Sequence, residues 1–457
     1  MSASPLTGAE RKKRVLGSDS MRFSEFLSSE WKPALGCTEP AAVAWATSLA
    51  AKQSNGAVRS VRLSCDGRTY KNCYAVGLPN SDKKTGILWT LAIGANLADP
   101  SLGLRVFEQT DAVALALATE LMASELVSVE VETRESELYI DCTVVREGGV
   151  GRAVVAREHT RLVRLEANGR VVGGEAATPD AQVSEPLRAE VAKLSFREMV
   201  DFARGMTPED RAALRNGASM NIAIARHGLS LLPPRFVSPA TQDPLSRLSR
   251  LVFAGVFARM SGEAHTVMSL AGSGNKGITV SVPVTLLGRE GGYTEERVDE
   301  ALGLACLLTS ATTHQLGTLS AVCGCSNAAG LGIASALVML EGGSAEQVGL
   351  AVSNMVGNVA GMICDGAKMG CALKVTTAVD AAFRAATLAL SGIGIPASDG
   401  IVGPTGEASL TNLGRLAQRG MASVDSEILN IMQSKLKSSA PSTERSLRRV
   451  GKRLQDD

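Results

Sequence analysis

The residues in this chain best suited to chemistry are cysteines set among small polar neighbours. Cysteines stand at 37, 65, 73, 142, 306, 323, 325, 364 and 371. Cys142 and Cys306 lie in alternating or apolar runs and read as buried, inert thiols. Cys37, Cys323, Cys325 and Cys364 sit instead beside Gly, Asp, Thr or Asn, in turn or helix-end contexts where a thiolate can face a ligand. In Ala34-Leu35-Gly36-Cys37-Thr38-Glu39-Pro40, Cys37 falls just before a helix start, where the dipole and free N–H groups favour a thiolate. A helix start with a plain buried cysteine has the same pattern. A second segment, Ala271-Gly272-Ser273-Gly274-Asn275-Lys276-Gly277, exposes backbone N–H groups that suit a carboxylate or phosphate. It lacks the terminal Gly-Lys-Ser/Thr of a nucleotide loop, and a structural tight turn fits it equally. The third pair of segments is LSAVCGC (319–325) and GMICDGAKMGCALK (361–374). Structural zinc prefers Cys-x2-4-Cys hooks, which Cys323-x-Cys325 and Cys364-x6-Cys371 do not match. Widely separated single cysteines suit an iron–sulfur cluster assembled from several helices.

The whole-chain figures narrow the options. With 457 residues there is room for two or three domains, and 45% hydrophobic against 20% charged residues is a globular composition. The 47 Lys plus Arg against 46 Asp plus Glu leave a formal charge of +1, no field for gathering phosphates. Aromatics at 4% are too few for a base-stacking surface, so nucleic acid is not an expected partner. Met1 to Glu10 contains no apolar signal core, so a cytoplasmic protein with reduced thiols is expected. The stretch Ala301–Leu340 lacks charge but is broken by Thr, Ser, His, Gln and Asn, which fits buried helices rather than a membrane span.

The patterning implies an α+β fold: a large glycine-rich helical catalytic domain and a smaller strand-containing one. Residues 1–20 read as a loose leader. Residues 21–54 read as N-terminal helices, broken at Pro33, that pack on the catalytic domain. Residues 55–195 read as the smaller α+β domain, with a strand at 57–66, a Gly- and Asn-rich loop carrying Lys71 and Asn72, and further short strands at 126–132, 137–145, 152–157 and 161–166. Residues 196–433 read as the helical catalytic domain and 434–457 as a polar, basic tail.

Taken together and in order, GCTEP, AGSGNKG, LSAVCGC and GMICDGAKMGCALK resemble the L-cysteine desulfidase family, which is related to the iron–sulfur L-serine dehydratases through their α-subunit domain. MNIAIARHGL (220–229) and NLGRL (412–416) extend the resemblance over about residues 25–435. It implies a cytoplasmic lyase with a [4Fe-4S] cluster held by Cys37, Cys323 and Cys364, one iron remaining open as a Lewis acid. Cys325 and Cys371 are the competing ligands. The implied reaction is β-elimination from a small amino acid, L-cysteine to pyruvate, ammonia and sulfide, with dehydration of L-serine or another β-substituted acid as the alternative. Among proton carriers, Glu39 adjoins a ligand, Lys368 falls one helical turn beyond Cys364, and His159 matches a family position. Thr38, Lys71, Asn72, Ser273, Gly274, Asn275 and Lys276 are candidates for holding substrate.

Three departures from the family pattern bear on substrate choice. Lys276 stands where relatives usually carry Gln, Cys73 where glycine is expected, and Thr313 and Thr318 where a Lys and an Arg are common. A rearranged carboxylate clamp is one consequence. A non-catalytic zinc, thiol or anion-binding protein using the same residues is the competing class, and a homodimer is the default assembly.

Overall fold

The computed structural model describes residues 21–97, 99–132, 138–175, 187–238, 243–317 and 320–438. The leader, the tail beyond 438 and Thr318 lie outside them. The fold is α+β, with one six-stranded sheet, one two-stranded ladder and a large helical assembly.

The chain opens with helix α1 (Phe23–Glu30), strand β1 (Trp31–Leu35) and helix α2 (Thr38–Ala51). Next come β2 (Val58–Asp66), α3 (Gly67–Cys73), α4 (Ile87–Gly94), a 3₁₀ segment Pro100–Gln109, and α5 (Ala112–Ala123). Strands β3 (Val127–Glu132), β4 (Tyr139–Arg146), β5 (Gly149–Ala156), β6 (Leu162–Ala167) and β7 (Arg170–Gly173) complete this part. The sheet runs in the order β3-β2-β4-β5-β6-β7. Only β2 and β3 are parallel, as expected where helices intervene, and the remainder pair as antiparallel neighbours. Along β2, Val61, Leu63 and Cys65 are buried while Arg62 is exposed, the period-two signal of a half-covered strand.

The helical part comprises α6 (Phe196–Arg204), α7 (Pro208–Ser230), α8 (Pro244–Met260), strand β8 (Thr266–Leu270), α9 (Gly274–Glu290), α10 (Glu295–Leu316), α11 (Gly324–Leu340), α12 (Ala345–Val359), α13 (Cys371–Leu390), α14 (Gly406–Arg415) and α15 (Val424–Ser438). The uncharged stretch 301–340 forms most of α10 and all of α11, which are buried along nearly their whole lengths. Helices apolar on every side belong at a core centre. No helix among the described residues is long and apolar enough to cross a membrane.

Two hydrophobic cores result, one within the helices and one beneath the sheet. Here the structure corrects two expectations. Only α1 joins the helical core; α2 lies against β4 and β5 on one side and α4 and the 3₁₀ segment on the other. Its alanines leave it narrow enough to be enclosed all round. Between the two helices the chain is strand rather than helix: β1 pairs antiparallel with β8, Trp31 opposite Leu270 and Leu35 opposite Thr266. Pro33 is tolerated because each strand of a two-stranded ladder has a free edge.

A further correction concerns residues 364–370. They form turns, and helix begins only at Cys371, so Lys368 does not lie one helical turn above Cys364. Gly366 is the reason. Its φ of 96° is left-handed, and a β-carbon there would come within 2.4 Å of the Lys71 carbonyl oxygen on α3. Gly366→Ala therefore combines backbone strain with a backbone clash, and is expected to destabilise by about 1–3 kcal/mol. An unchanged thermal unfolding midpoint would contradict this close approach.

Candidate active site

Where the two cores meet, a cavity of about 80 Å³ is lined by Cys37, Cys323, Cys325, Cys364 and Cys371. At about 10–15 Å³ per water centre it has room for a few waters or a small ligand. Five of the nine cysteines thus converge, including all three singled out as ligands.

Local structure explains the convergence. Cys37 is the N-cap of α2 and Cys323 the N-cap of α11, while Cys371 opens α13. A reciprocal pair of backbone bonds ties the other two segments together: Cys323 N–H donates to the Met362 carbonyl (2.8 Å) and Cys364 N–H to the Ala321 carbonyl (2.7 Å). The glycine segment also meets the cavity, because Ser273 is the N-cap of α9. None of these four helices has a side-chain cap on its first turn. Helices α3, α5, α6, α7, α8, α10, α12 and α14 all do. All four present positive dipole ends to whatever lies there, and α2, α9 and α11 add first-turn N–H groups; at α13 the Cys371 and Ala372 N–H groups are already taken by the Lys368 and Met369 carbonyls. The residues therefore favour anionic contents.

The cations agree. Lys276 is buried in the first turn of α9, and its Nζ donates to the Ala271 carbonyl at 3.1 Å. Its stem runs past Gly324, where an added β-carbon would lie 3.2 Å from the Lys276 Cε. A buried ammonium at the positive end of a helix is electrostatically unfavourable. Burial lowers its pKa to about 8, with Cys325 opposing and Arg188 adding to the shift. Arg259, which sequence reading missed, is 1% exposed. Its Nη1 donates to Asn275 Oδ1 (2.8 Å) and its Nη2 to the Gly36 carbonyl (2.6 Å), leaving Nε buried without a partner. The available signal was one arginine in the apolar run LVFAGVFARM (251–260).

The acid–base groups come from the sheet side. The buried Glu39 carboxylate accepts from Cys37 Sγ (3.1 Å), Thr38 Oγ1 (3.1 Å) and Asn72 Nδ2 (3.0 Å). Burial pushes its pKa up, but His159 and these hydrogen bonds outweigh that and hold it below the usual range. His159, in the turn after β5, is 7% exposed, and its Nε2 has no hydrogen-bond partner. That nitrogen lies 3.9 Å from Glu39 Oε1. Burial lowers the His159 pKa, Glu39 opposing and the Arg188 and Lys276 charges adding to it, so the neutral ring is favoured.

Two other candidates are committed elsewhere. Lys71 lies on α3 rather than in a loop, because Asp66 caps the Arg68 and Thr69 N–H groups. Its ammonium donates to the Cys364 carbonyl (2.7 Å) and to Asp425 Oδ1 on α15 (2.5 Å), so it anchors the loop. Lys368 is ion-paired with Asp365 (2.5 Å), which Lys374 also engages, and it is not part of the cavity wall. Of the two substituted positions, Thr313 lines the cavity.

Burial holds the Cys37, Cys323, Cys325 and Cys371 thiols in their neutral form. Burial and then Glu39 raise the Cys37 pKa well above its usual value, and burial raises Cys325 to about 11 and Cys371 to about 12. Among the described residues no three Cys, His, Asp or Glu side chains form a ready metal-binding group. In donor type and placement, however, soft thiols at two helix N-caps (Cys37, Cys323) and in the turn at Cys364, around a cavity lined by buried cations, fit a cluster whose binding deprotonates them.

Residues 189–430 match the family model for the serine dehydratase alpha chain. Along most of its length the chain is also similar to UPF0597 proteins. That of Geobacter sulfurreducens is 36% identical over 421 residues (90% of this chain, 98% of the other), and that of Oleidesulfovibrio alaskensis 37% over 427 residues (91% and 98%). That of Clostridium tetani is 34% identical over 412 residues (89% and 97%). The chain belongs to the serine dehydratase alpha chain family. Cys37, Glu39, Lys71, Asn72 and His159 all lie outside the matched residues, so the sheet side completes a site begun by the helices.

The buried Lys71–Asp425 pair yields a stability test. Asp425→Ala strands an ammonium and is expected to cost about 3–5 kcal/mol, whereas Lys71→Met combined with Asp425→Leu costs much less. Equal losses in thermal or urea unfolding would show that the pair is not what docks α15.

Proposed function

We propose that this chain is a [4Fe-4S]-dependent lyase that eliminates the β-substituent of a small amino acid, L-cysteine in the first instance. The observation that carries the reading is the ring of four uncapped helix starts and buried cations around five cysteines. Cys37, Cys323 and Cys364 would hold the cluster, which when bound supplies an open iron acting as a Lewis acid towards the leaving sulfur or oxygen.

The remaining work falls to side chains. Lys276 Nζ and the unpartnered Arg259 Nε bind the substrate carboxylate, while Asn275 keeps the guanidinium in place. Neutral His159 accepts the α-proton at Nε2, and the Glu39 carboxylate stabilises the imidazolium so formed. Thr38, Cys37 and Asn72 fix Glu39 for that role. Loss of the α-proton and the β-sulfide leaves an enamine. Its imine tautomer takes up water to give pyruvate and ammonia. Water and L-serine replace sulfide and L-cysteine in the second reading, which the family's own description favours.

Anaerobically reconstituted protein should contain about four irons and four acid-labile sulfides per chain and form pyruvate from L-cysteine faster than from L-serine. His159→Asn should keep the cluster absorbance and lower kcat about 10²- to 10⁴-fold. Colourless protein holding zinc and no sulfide would overturn the reading, as would a cluster-loaded enzyme inert on both amino acids.

Lys276→Gln should raise KM about ten- to hundredfold with the cluster spectrum unchanged. Because the clamp requires the protonated amine, wild-type KM should rise as pH passes upward through about 8, and that rise should vanish in Lys276→Gln. An unchanged KM at full cluster occupancy would remove Lys276 from the substrate.

A further inference from the structure

A second cavity, of about 500 Å³, shares no lining residue with the first. Its volume falls in the range of small-molecule sites, about 300–1,000 Å³. Val359 at the end of α12, Met362 in the following turn and Ala381 on α13 supply apolar wall. The polar groups are Asn358, Thr377, Asp380 and Arg384.

The charges are arranged unusually. Asp380 and Arg384 are four residues apart on one face of α13, the spacing at which opposite charges normally pair. They form no ion pair with each other, although both border the cavity. Asp380 Oδ1 accepts from Ser249 Oγ on α8, which holds the carboxylate in position and leaves Oδ2 available. Neither the Arg384 guanidinium nor the Asn358 amide has a protein hydrogen-bond partner among the described residues. A fixed carboxylate and, one helical turn further on, a solvent-exposed guanidinium without a protein partner border the same partly apolar hollow, an arrangement complementary to a zwitterion.

We propose that this cavity binds a free α-amino acid. Its ammonium meets Asp380, its carboxylate meets Arg384 and the Asn358 amide, and its small side chain lies against Val359, Met362 and Ala381. The wall gives the site a direct connection to the thiols. The Met362 carbonyl accepts the Cys323 N–H, and the next residue, Ile363, is bridged to Val322. A ligand resting on Met362 therefore touches the segment that fixes Cys323 relative to Cys364. An amino acid bound there is placed to bias how those two thiols are presented. This inference is independent of the elimination chemistry.

The test is calorimetric titration of the full chain, without cluster, using L-alanine, which has no β-leaving group. Saturable binding is expected. Arg384→Ala and Asp380→Asn should each weaken it about ten- to hundredfold, and Lys276→Gln should leave it unchanged. Pyruvate, which lacks the ammonium, and ethylamine, which lacks the carboxylate, should not compete. Arg384→Lys keeps the charge without the planar fork and should bind with intermediate strength; it and Asp380→Asn decide the matter if Arg384→Ala does not fold. Binding abolished by Lys276→Gln and retained in Arg384→Ala would place the ligand in the cysteine cavity and overturn the proposal. Absence of saturable binding up to about 10 mM, or pyruvate binding as well as alanine, would overturn it too. So would a change of oligomeric state in Arg384→Ala on light scattering, which would make the hollow a subunit interface.

Discussion

A guanidinium almost wholly withdrawn from water must be met by acceptors, and Arg259 finds them in segments that are distant along the chain. The Gly36 carbonyl, 223 residues away, receives one N–H, and Asn275 receives another. Each acceptor adjoins a residue of the site, Cys37 in one case and Lys276 in the other. One planar group, rigid across its donors, therefore sets how a thiol and an ammonium lie relative to each other. The β1–β8 ladder supports the same juxtaposition through the backbone. The third donor, Nε, lies against Gly274 without a hydrogen-bond partner, and this is the point at which structural duty leaves something over for a ligand.

The electrostatics follow from that juxtaposition. Helix starts, a lysine and an arginine all favour negative charge at one place, while burial raises the pKa values of Cys37, Cys325 and Cys371 and so favours their neutral thiols. Lys276 shows the tension most clearly, since helix dipole and burial both oppose its charge. Glu39 is the counterweight within the wall. Its hydrogen bonds from three neighbours hold it ionised beside an imidazole that has no other polar contact at Nε2.

Much of this was legible before the coordinates. The alternating strands of the sheet appear where the periodicity put them, and the region after Phe196 is mostly helical, because burial on one face or on all faces leaves a direct mark on composition. The expectation that 196–433 is all helix fails at β8, whose five residues are strand because they pair with β1. Strand β1 left none: five residues containing a proline, between two helical runs, have no period to read. The segment 67–73 looked like a loop from its glycine and asparagine, although Asp66 two and three residues before the N–H groups it caps was a usable helix signal. The thiols that meet were identifiable from their polar neighbours. Arg259 was not, because a single charge in an apolar helix carries no sign of what it will bridge 223 residues away. Lys368 was misplaced for a local reason, a left-handed glycine that delays the helix to Cys371.

The β1–β8 ladder also imposes an order of events on a ribosome. The sheet and the buried residues of its core all precede residue 176, Leu429 of α15 being added later at the edge, and neighbouring strands are mostly consecutive, so they can form early from local pairings. β1 cannot find its partner until β8 has emerged, and Cys37 gains its full surroundings only once the segment around Cys364 has followed. For much of synthesis, then, the nascent chain carries an accessible thiol next to a finished folding unit. Protection of that thiol has to last into the second half of translation, and the slow, non-local pairing is the step that decides when the cysteine cavity is complete.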